Sequence, residues 1–402
     1  MRSSIDPGDT ILFKRGDTFE GPFSWTRSGA AGRPITFGNY GTGSLPLFVL
    51  PLGSTVELEE RNLFYFGNVS YVTVDGFRIT DLHIAADPEQ LADHNMFAYV
   101  GTAIRFEGYD ETDWAHDIVV KNCDISLTGM GVVWLGIARS SMTNNRITNL
   151  KNLRSTPGGD DDYGANGLTL LGDDNMITRN YFEGNWATSL DFVYNGGVFE
   201  LYGGVNRNQF LYNVAIDCGS IAEFGSPDGA TMADNVFAYN LGIDNGGVSW
   251  INLSGTFASD VSNVMFYNNT FVELNNRFGD STFLFGYQGT AEVDTMFDFK
   301  NNLFYSRDFN MISGAVDASK VTHENNVYIL MGGETRYSLH SSERSITAAP
   351  FVSMTSDDML MWDYHLLPGS VGLGAGQSLG FTRDLLGTAV SGAPDVGAFQ
   401  HE

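Results

Sequence analysis

The sequence NNTFVE at residues 268–273 contains the pattern that decides the fold. An Asn is followed two places later by an apolar residue, and NNLFYS at 301–306 and NNVYIL at 325–330 repeat this frame. Earlier copies of the frame begin at Asn145, Asn180, Asn213 and Asn240, so that the intervals run from 24 to 35 residues. Repeats of this length are typical of solenoids. The unequal intervals predict a fixed coil with loops of variable length.

A second recurring run lies between the Asn frames. It reads FYFG at 64–67, RFEG at 105–108, TLLG at 169–172, ELYG at 200–203, EFG at 223–225 and WIN at 250–252. Short runs rich in aromatic and β-branched residues, bounded by Gly, Asn and Asp, predict strands. Two explanations of the single Asn per coil stay open. Stacked side-chain amides could bond along the solenoid, or Asn could serve because it tolerates left-handed turn conformations.

Composition excludes several classes of protein. The 48 Asp and Glu exceed the 22 Lys and Arg, and a net charge of -26 argues against nucleic acid or an anionic membrane as the partner. A hydrophobic content of 43% argues against disorder. No apolar run is long enough for a membrane span. The two cysteines, Cys123 and Cys218, would lie on different coils and are expected to be free, buried thiols.

Three further segments carry a family resemblance together with the coils. They are PGDTILFKRGDTFEG at 7–21, SGAAGRPITFGNYGTGSLP at 28–46 and GAPDVGAFQHE at 392–402. Across residues 5–400 the chain resembles the pectate-lyase-like right-handed parallel β-helix superfamily, which contains bacterial secreted carbohydrate-active proteins. The resemblance implies an all-β, right-handed parallel β-helix.

We expect a single domain over residues 1–402. Residues 1–60 would form the N-terminal strands and first coils, 61–330 the regular coils, and 331–402 the degenerate last coils and a loop-rich cap. Members of the superfamily are usually exported, so an extracellular location is expected. The sequence opens MRSSIDPGDT without the apolar region of a signal peptide, which favours a truncated N-terminus.

Alternation along the strands predicts an outward column of side chains, because successive residues of a strand face opposite sides. The column would hold Arg105, Val133 or Trp134, Thr169, Glu200, Glu223 and Trp250. Long segments precede several of these strands, at 81–100, 150–166 and 183–197, and we expect them to form one wall of a cleft. Loops in the corresponding place border the binding cleft in the superfamily.

Two carboxylates on adjacent coils predict acid–base chemistry. Glu200 and Glu223 would be stacked about 4.7–4.9 Å apart, and their repulsion should raise one of the two pKa values. Glycoside hydrolysis needs one carboxyl as an acid and another as nucleophile or base. We assign Glu223 as the acid and Glu200 or Asp191 as its partner. The opposing interpretation is that an outward Glu on such an acidic solenoid is merely solvated.

Candidate binding residues surround these carboxylates. They are Trp250, Tyr202, Tyr163, Arg105, His94, Trp186, Tyr194 and Thr169, and the aromatic members offer apolar faces to sugar rings. Asp160, Asp161 and Asp162 could bind Ca²⁺ through oxygen ligands, although a solvated acidic loop explains them as well. No cofactor is otherwise required, and the expected partner is a polysaccharide or oligosaccharide.

Three functions therefore compete. The paired carboxylates favour a glycoside hydrolase. A polysaccharide lyase, which is also common in the superfamily, typically needs Lys or Arg with Ca²⁺, and none of the five lysines falls in the outward column. A carbohydrate-binding or adhesin-like solenoid without catalysis would use the same aromatic residues. The sequence leaves open the sugar, the linkage and the oligomeric state.

Overall fold

The chain forms two compact units, Met1–Val205 and Asn206–Glu402. The computed structural model describes residues 5–51, 62–83, 101–108, 114–155, 158–159, 162–225, 230–252, 260–275, 277–279, 282–286 and 294–401. Each unit contains three sheets of parallel strands, called first, second and third in the order in which the chain visits them. No helix within these described ranges has the length and apolar character needed to cross a membrane.

The first unit repeats one strand of each sheet per coil. Its first sheet contains β1 (Thr10–Lys14), β4 (Ile35–Tyr40), β7 (Val72–Asp75), β11 (Ile118–Lys121), β15 (Ser141–Thr143) and β20 (Met176–Thr178). Its second sheet contains β2 (Thr18–Glu20), β5 (Leu47–Leu50), β8 (Arg78–Asp81), β12 (Asp124–Ser126), β16 (Arg146–Thr148) and β21 (Tyr181–Glu183). Its third sheet contains β3 (Phe23–Trp25), β6 (Asn62–Gly67), β9 (Thr102–Glu107), β13 (Met130–Leu135), β19 (Asn166–Leu171) and β24 (Gly197–Leu201). Three short pairs lie between the sheets: β10 (Ala115–His116) with β14 (Ile137–Ala138), β17 (Asn152–Arg154) with β18 (Tyr163–Gly164), and β22 (Ala187–Ser189) with β23 (Val193–Asn195).

The second unit has the same plan. Its first sheet contains β25 (Gln209–Leu211), β29 (Val236–Ala238), β33 (Val264–Tyr267), β36 (Phe297–Lys300) and β39 (Val321–Glu324). Its second sheet contains β26 (Val214–Ile216), β30 (Leu241–Ile243), β34 (Thr270–Glu273), β37 (Leu303–Ser306), β40 (Val327–Leu330) and β41 (Arg344–Ser345). Its third sheet contains β27 (Ala222–Gly225), β31 (Ser249–Asn252), β35 (Thr282–Gly286) and β38 (Asn310–Ile312). Two pairs, β28 (Thr231–Ala233) with β32 (Asp260–Ser262) and β42 (Phe351–Ser353) with β43 (Asp363–Leu366), and two 3₁₀ turns, Ala318–Lys320 and Met359–Met361, complete it.

The inner faces of the strands build a stacked aromatic core. In the second unit, the ring centroids of Phe210, Phe237, Phe266 and Phe299 follow one another at 4.4, 4.7 and 5.1 Å. These residues occupy equivalent positions of successive strands in the first sheet. The register repeats because each parallel strand places an identical side-chain position over the one before it.

The recurring asparagines form a hydrogen-bonded ladder. In the second unit, Oδ1 of Asn240 accepts from the backbone and side-chain N–H groups of Asn213. Each following Asn accepts in the same way from the one before it, in the order Asn240, Asn269, Asn302, Asn326. In the first unit Asn145 donates to Asn180 in the same way. These buried amides satisfy turn backbone groups, which confirms the first explanation of the repeat.

The left-handed turn residue lies one position before each ladder Asn. Its φ is between 52° and 59°, and the residue type varies: Asn144, Arg179, Tyr212, Tyr239, Asn268, Asn301 and Asn325. Tolerance of a left-handed conformation therefore does not explain the ladder position itself. The amide is needed there for its paired donor and acceptor. Cys123 and Cys218, both buried free thiols, take positions whose backbone N–H donates to Oδ1 of a ladder-like Asn, Asn145 and Asn245 respectively.

The C-terminal residues of the second unit cover two surfaces. Glu343 ends the ladder, because its Oε1 accepts from the Asn326 amide and its Oε2 from the His340 backbone. Farther along, Phe351, Leu366 and Phe399 join a buried cluster on the second sheet with residues such as Val272. Residues after 343 therefore pack along the outer face of the second sheet rather than only over the last coil.

Candidate active site on the third sheet

The third sheet of the first unit presents the predicted outward column. Parallel register aligns Arg105 with Val133, Val133 with Thr169, and Thr169 with Glu200. Val133 is therefore the column residue, and Trp134 is buried in the core. Leu168, Leu170, Phe199 and Leu201 face inward and are buried, as alternation predicts.

Glu200 is held by two donors from the neighbouring strand. Its Oε2 accepts from Nδ2 of Asn166 at 2.7 Å and from Oγ1 of Thr169 at 2.8 Å. Burial raises the pKa of Glu200, and these two hydrogen bonds lower it by less, so the pKa lies above its usual range. Desolvation disfavours the ionised carboxylate, so Glu200 is suited to carry a proton and release it.

Two antiparallel hairpins rise beside this column. The first pairs β17 with β18 immediately before β19, and the second pairs β22 with β23 immediately before β24. Described residues of the predicted long segments at 150–166 and 183–197 therefore form antiparallel strand pairs. Nδ2 of Asn152 donates to the Thr188 carbonyl at 2.9 Å and joins the two. Together they are the candidate wall of the site.

Asp162 ties the two hairpins together. Its Oδ2 accepts from Ser155 Oγ at 2.9 Å and from Ser189 Oγ at 2.6 Å. The backbone N–H groups of Leu190 and Asp191 donate to the same oxygen at 2.8 and 3.2 Å. The carboxylate is buried, and its predicted role as a Ca²⁺ ligand would compete with these donors for Oδ2. The Asp162 network fixes the backbone of the turn that carries Asp191, and the Ca²⁺ role of Asp162 stays a prediction.

The second hairpin returns to the sheet through Gly196. Its φ is 104°, and a Cβ placed there would lie 2.5 Å from Cβ of Ala165. Only glycine fits this close approach without displacing the neighbouring chain. Gly196 therefore fixes how the wall enters β24, the strand that carries Glu200.

Arg105 belongs to a polar network at one end of the column. Its Nε donates to Oε1 of Glu107 at 2.5 Å, while the Tyr65 hydroxyl donates to Oε2 of Glu107 at 2.8 Å. Tyr65 and Arg105 are also aligned by register. The guanidinium thus already neutralises a carboxylate of its own strand.

In the second unit, the third sheet aligns Glu223 with Trp250, and Trp250 with Phe285. Ala222, Phe224, Ser249 and Ile251 are buried on the inner face, as predicted. Trp250 is only 7% exposed, so little of its ring is open to a sugar. Because Glu200 and Glu223 belong to different units, their predicted stacking stays a prediction.

The remaining candidate binding residues differ in exposure. Tyr163 and Tyr202 are 39% and 37% exposed, and they are the candidate aromatic residues most open to solvent. Tyr194 is buried opposite Thr188 in the second hairpin, and Trp186 is half-buried. Thr169 donates to Glu200, and its expected contact with substrate stays a prediction. His94, Asp160 and Asp161 lie outside the described residues.

Sequence reasoning missed Asn166, which bonds Glu200, and Lys151, which lies at the base of the first hairpin. Strict alternation from the outward Thr169 predicts that Asn166 faces inward. The strand is irregular where it begins, because Ala165 has a left-handed φ of 58°, and Asn166 bonds the outward Glu200. Lys151, at the base of the first hairpin, accepts through its carbonyl from the Ala165 N–H. Burial lowers the pKa of Lys151, a shift that no sequence pattern signals.

A buried acid–histidine pair, Asp81 and His83, lies at the start of the remaining predicted wall segment, 81–100. Asp81 Oδ1 lies 2.8 Å from Nδ1 of His83, and its Oδ2 accepts from the Gly101 N–H. Asp81 therefore joins the two ends of the 81–100 segment. Burial raises its pKa despite the hydrogen bonds from His83 and Gly101. Among the described residues, no three His, Cys, Asp or Glu side chains are grouped to hold a metal ion.

Comparison with known proteins supports the architecture. The chain is similar to pectate lyase Pel9A, with 15% identity over 100% of this chain and 90% of that chain and a TM-score of 0.60. It is also similar to XylC solved with xylose, with 12% identity over 99% and 94% of the chains and a TM-score of 0.58. The chain has the pectate-lyase-like β-helix fold. The alginate lyase from Paenibacillus sp. str. FPU-7 shares this fold, with 17% identity, 78% and 93% coverage and a TM-score of 0.52.

No protein-family model and no curated protein matches the sequence. Identities this low show a common pectate-lyase-like fold alone. The chemistry must therefore be argued from this chain's own residues.

Proposed function

We propose that the protein cleaves a polysaccharide or oligosaccharide on the outer face of the third sheet, and that it is a glycoside hydrolase. The observation that carries the proposal is Glu200, a carboxyl whose pKa is raised by burial in a column flanked by two hairpins. The hydrogen bonds from Asn166 and Thr169 to Oε2 fix the orientation of the carboxyl group. A proton-bearing carboxyl of this kind is the general acid that glycosidic cleavage requires.

Glu200 is assigned the acid, the role that the sequence analysis gave to Glu223. In this mechanism the Glu200 proton passes to the glycosidic oxygen as the bond to the sugar carbon breaks. An ionised carboxylate then attacks that carbon or takes a proton from the attacking water. Asp191 is our first choice for this second group, because the Asp162 network holds its backbone on the wall. Glu223 remains the alternative.

Exposed tyrosines support a sugar ligand. Tyr163 belongs to the first hairpin, and Tyr202 directly follows β24, so each lies next to an element that positions Glu200. An aromatic face binds the apolar side of a pyranose ring. The solved proteins that share this fold include a pectate lyase, an alginate lyase and XylC bound to xylose, which agrees with a carbohydrate substrate.

A polysaccharide lyase is the second candidate, and Lys151 is the observation that favours it. β-Elimination needs a base near the α-proton of a uronate, and a Lys with a lowered pKa is suited to accept that proton. Ca²⁺, the possible cofactor in this case, would neutralise the uronate carboxylate. Asp160 and Asp161 remain candidate ligands for it.

The first experiment incubates the purified chain with neutral and anionic polysaccharides, with and without Ca²⁺. Reducing ends and the ultraviolet absorbance of unsaturated uronates are followed together. We expect new reducing ends without absorbance, and a loss of about 100-fold or more in Glu200→Gln. Glu183→Gln, which changes a carboxylate of the second sheet bonded to Arg146, is the matched control and should keep full activity.

Other outcomes would contradict the assignment. Absorbance that depends on Ca²⁺ and disappears in Lys151→Met would establish the lyase. Substrate binding without cleavage, unchanged in Glu200→Gln, would favour the binding solenoid. Asp191→Asn and Glu223→Gln separate the two choices for the second carboxylate, because only the true partner should reduce the rate as strongly as Glu200→Gln.

A further inference from the structure

A cavity lies on the first sheet of the second unit, on a different sheet from Glu200. Its volume is about 670 Å³, within the range of about 300–1,000 Å³ for small-molecule sites. Residues of β36 and β39 line it together with residues 338–340. Neither the repeat nor the proposed cleavage accounts for this cavity.

The lining includes the buried carboxylate of Asp298. Its Oδ1 accepts from Thr322 Oγ1 at 2.7 Å, and its Oδ2 accepts from the Tyr267 hydroxyl at 2.6 Å. Nζ of Lys300 lies 2.8 Å from the same Oδ2. Because three groups hold Asp298 in one orientation, the ammonium of Lys300 is positioned at the cavity rather than free to sample solvent.

Two imidazoles also line the cavity. Nδ1 of His323 is 2.7 Å from Oε2 of Glu343, and its ring stacks on Tyr337 with centroids 4.0 Å apart. These contacts fix the ring, and Nε2 is its remaining polar atom. Nδ1 of His340, an exposed residue, lies 2.7 Å from Oγ of Ser342. Both histidines line the cavity.

The chemistry of the lining selects the ligand. Lys300 is already neutralised by Asp298, and Glu324 adds a further negative charge, so an anionic ligand is disfavoured. The other lining side chains include the hydroxyl groups of Thr322 and Ser338, and Val321 and Leu339 are its apolar side chains. Such a surface is complementary to a neutral molecule covered with hydroxyl groups.

We propose that this cavity binds a neutral saccharide of one or two rings as a second, non-catalytic site. Lys300, Thr322 and the histidines would bond its hydroxyl groups, and Asp298 would position Lys300. The proposal goes beyond the cleavage proposed above and does not depend on it, because no residue of the third sheet takes part.

The test titrates the full chain with xylose, glucose, cellobiose and D-glucuronate, using calorimetry or ligand-observed NMR. We expect a neutral sugar to bind with a Kd of about 1 mM or tighter, and glucuronate to bind more weakly. Lys300→Met should weaken binding at least tenfold, since it removes a charged donor. Lys121→Met is the matched control, because Lys121 forms the comparable ion pair with Asp75 on the first sheet of the first unit.

A second variant separates a loss of binding from a loss of folding. Ser338 is exposed on the loop beside the cavity, so Ser338→Trp should fill the cavity without disturbing the core and should abolish binding. Binding should persist in Glu200→Gln, whether or not the protein cleaves polysaccharides. No binding by any of the sugars would overturn the proposal. So would binding that survives both Lys300→Met and Ser338→Trp, or that is lost in Glu200→Gln.

Discussion

At the scale of single residues, the candidate acid depends on an imbalance between burial and hydrogen bonding. Burial acts on the whole Glu200 carboxyl and raises its pKa, while Asn166 and Thr169 both donate to a single oxygen, Oε2. A carboxylate with more donors would have a pKa below its usual range. The two hydrogen bonds therefore orient Glu200, but they do not offset the effect of burial on its ionised form.

Removing one donor should shift the pH dependence of the reaction. Thr169→Val eliminates a hydrogen bond that lowers the pKa of Glu200, so the pKa should rise further. A general acid must be protonated, so the alkaline limb of the kcat/KM profile should move to higher pH. Thr178→Val, a buried threonine of the first sheet, should leave the profile unchanged. A shift to lower pH in Thr169→Val would exclude Glu200 as the acid.

Glu273 presents a buried carboxyl with a different role. It is 1% exposed, and neither side-chain oxygen has a hydrogen-bond partner of normal geometry among the described residues. Burial raises its pKa well above the usual range, and the nearby Asp244 carboxylate raises it further. The folded protein therefore keeps a proton on Glu273 at a pH where the unfolded chain has released it.

This difference makes stability depend on pH. Since the folded pKa of Glu273 is raised, the unfolded state gains relative stability as pH rises above the ordinary glutamate pKa. Glu273→Gln should raise the free energy of unfolding by roughly 1–3 kcal/mol near pH 7.5 and by much less near pH 5. Urea unfolding at both pH values tests this, with Glu183→Gln as the exposed control. A variant less stable than the parent protein near pH 7.5 would contradict it.

At the scale of elements, the wall of the candidate site depends on side-chain hydrogen bonds more than on core packing. The hairpins β17–β18 and β22–β23 are short, and Asp162 supplies an acceptor that both share. Leu190, Phe192 and Val193 at the turn of the second hairpin are exposed. Because apolar burial is small there, losing the Asp162 carboxylate should loosen the wall without unfolding the sheets.

Asp162→Ala tests this arrangement. The backbone amides of Leu190 and Asp191 should exchange hydrogen roughly 10–100-fold faster, because each loses a charge-assisted bond. Exchange in the buried strand β19 should not change. Ser155→Ala removes a single donor and should produce a smaller effect in the same amides. Equal protection in Asp162→Ala and the parent protein would show that the wall is held by other contacts.

At the scale of the whole molecule, charge is the dominant feature. The 48 Asp and Glu exceed the 22 Lys and Arg, and the net charge of -26 repels itself in the compact folded state. Local ion pairs such as Lys121 with Asp75 and Lys300 with Asp298 offset only part of this repulsion. Repulsion of this kind destabilises the folded state and is screened by salt.

Salt should therefore stabilise the protein. Raising NaCl from about 20 mM to about 150 mM should increase Tm by about 2–5 °C, because the screening length falls. CaCl₂ at matched ionic strength is the control for specific binding. A much larger rise with CaCl₂ would support the predicted Ca²⁺ role of Asp160 and Asp161. A Tm that falls or stays constant in NaCl would contradict the electrostatic argument.

Several features were predictable from local sequence. The Asn frames, the strand runs and the inward positions of Phe199 and Phe224 follow from repeats and alternation, which depend only on neighbouring residues. The outward position of Trp250 was predicted in the same way, but its burial was not. Burial depends on what the rest of the chain places over a side chain, and no pattern around Trp250 contains that information.

The sequence by itself determined the coil, since strand runs and ladder asparagines bond equivalent positions of the neighbouring coil, as Asn269 does with Asn302. Only the tertiary structure decided which residues act together. It brought Asn166 and Thr169 to one oxygen of Glu200, and Asp298 together with Tyr267 and Thr322. These partners are 24–34 residues apart, and their meeting depends on loop lengths and register. The raised pKa of Glu200 follows from the same cause, because desolvation is a property of the assembled fold.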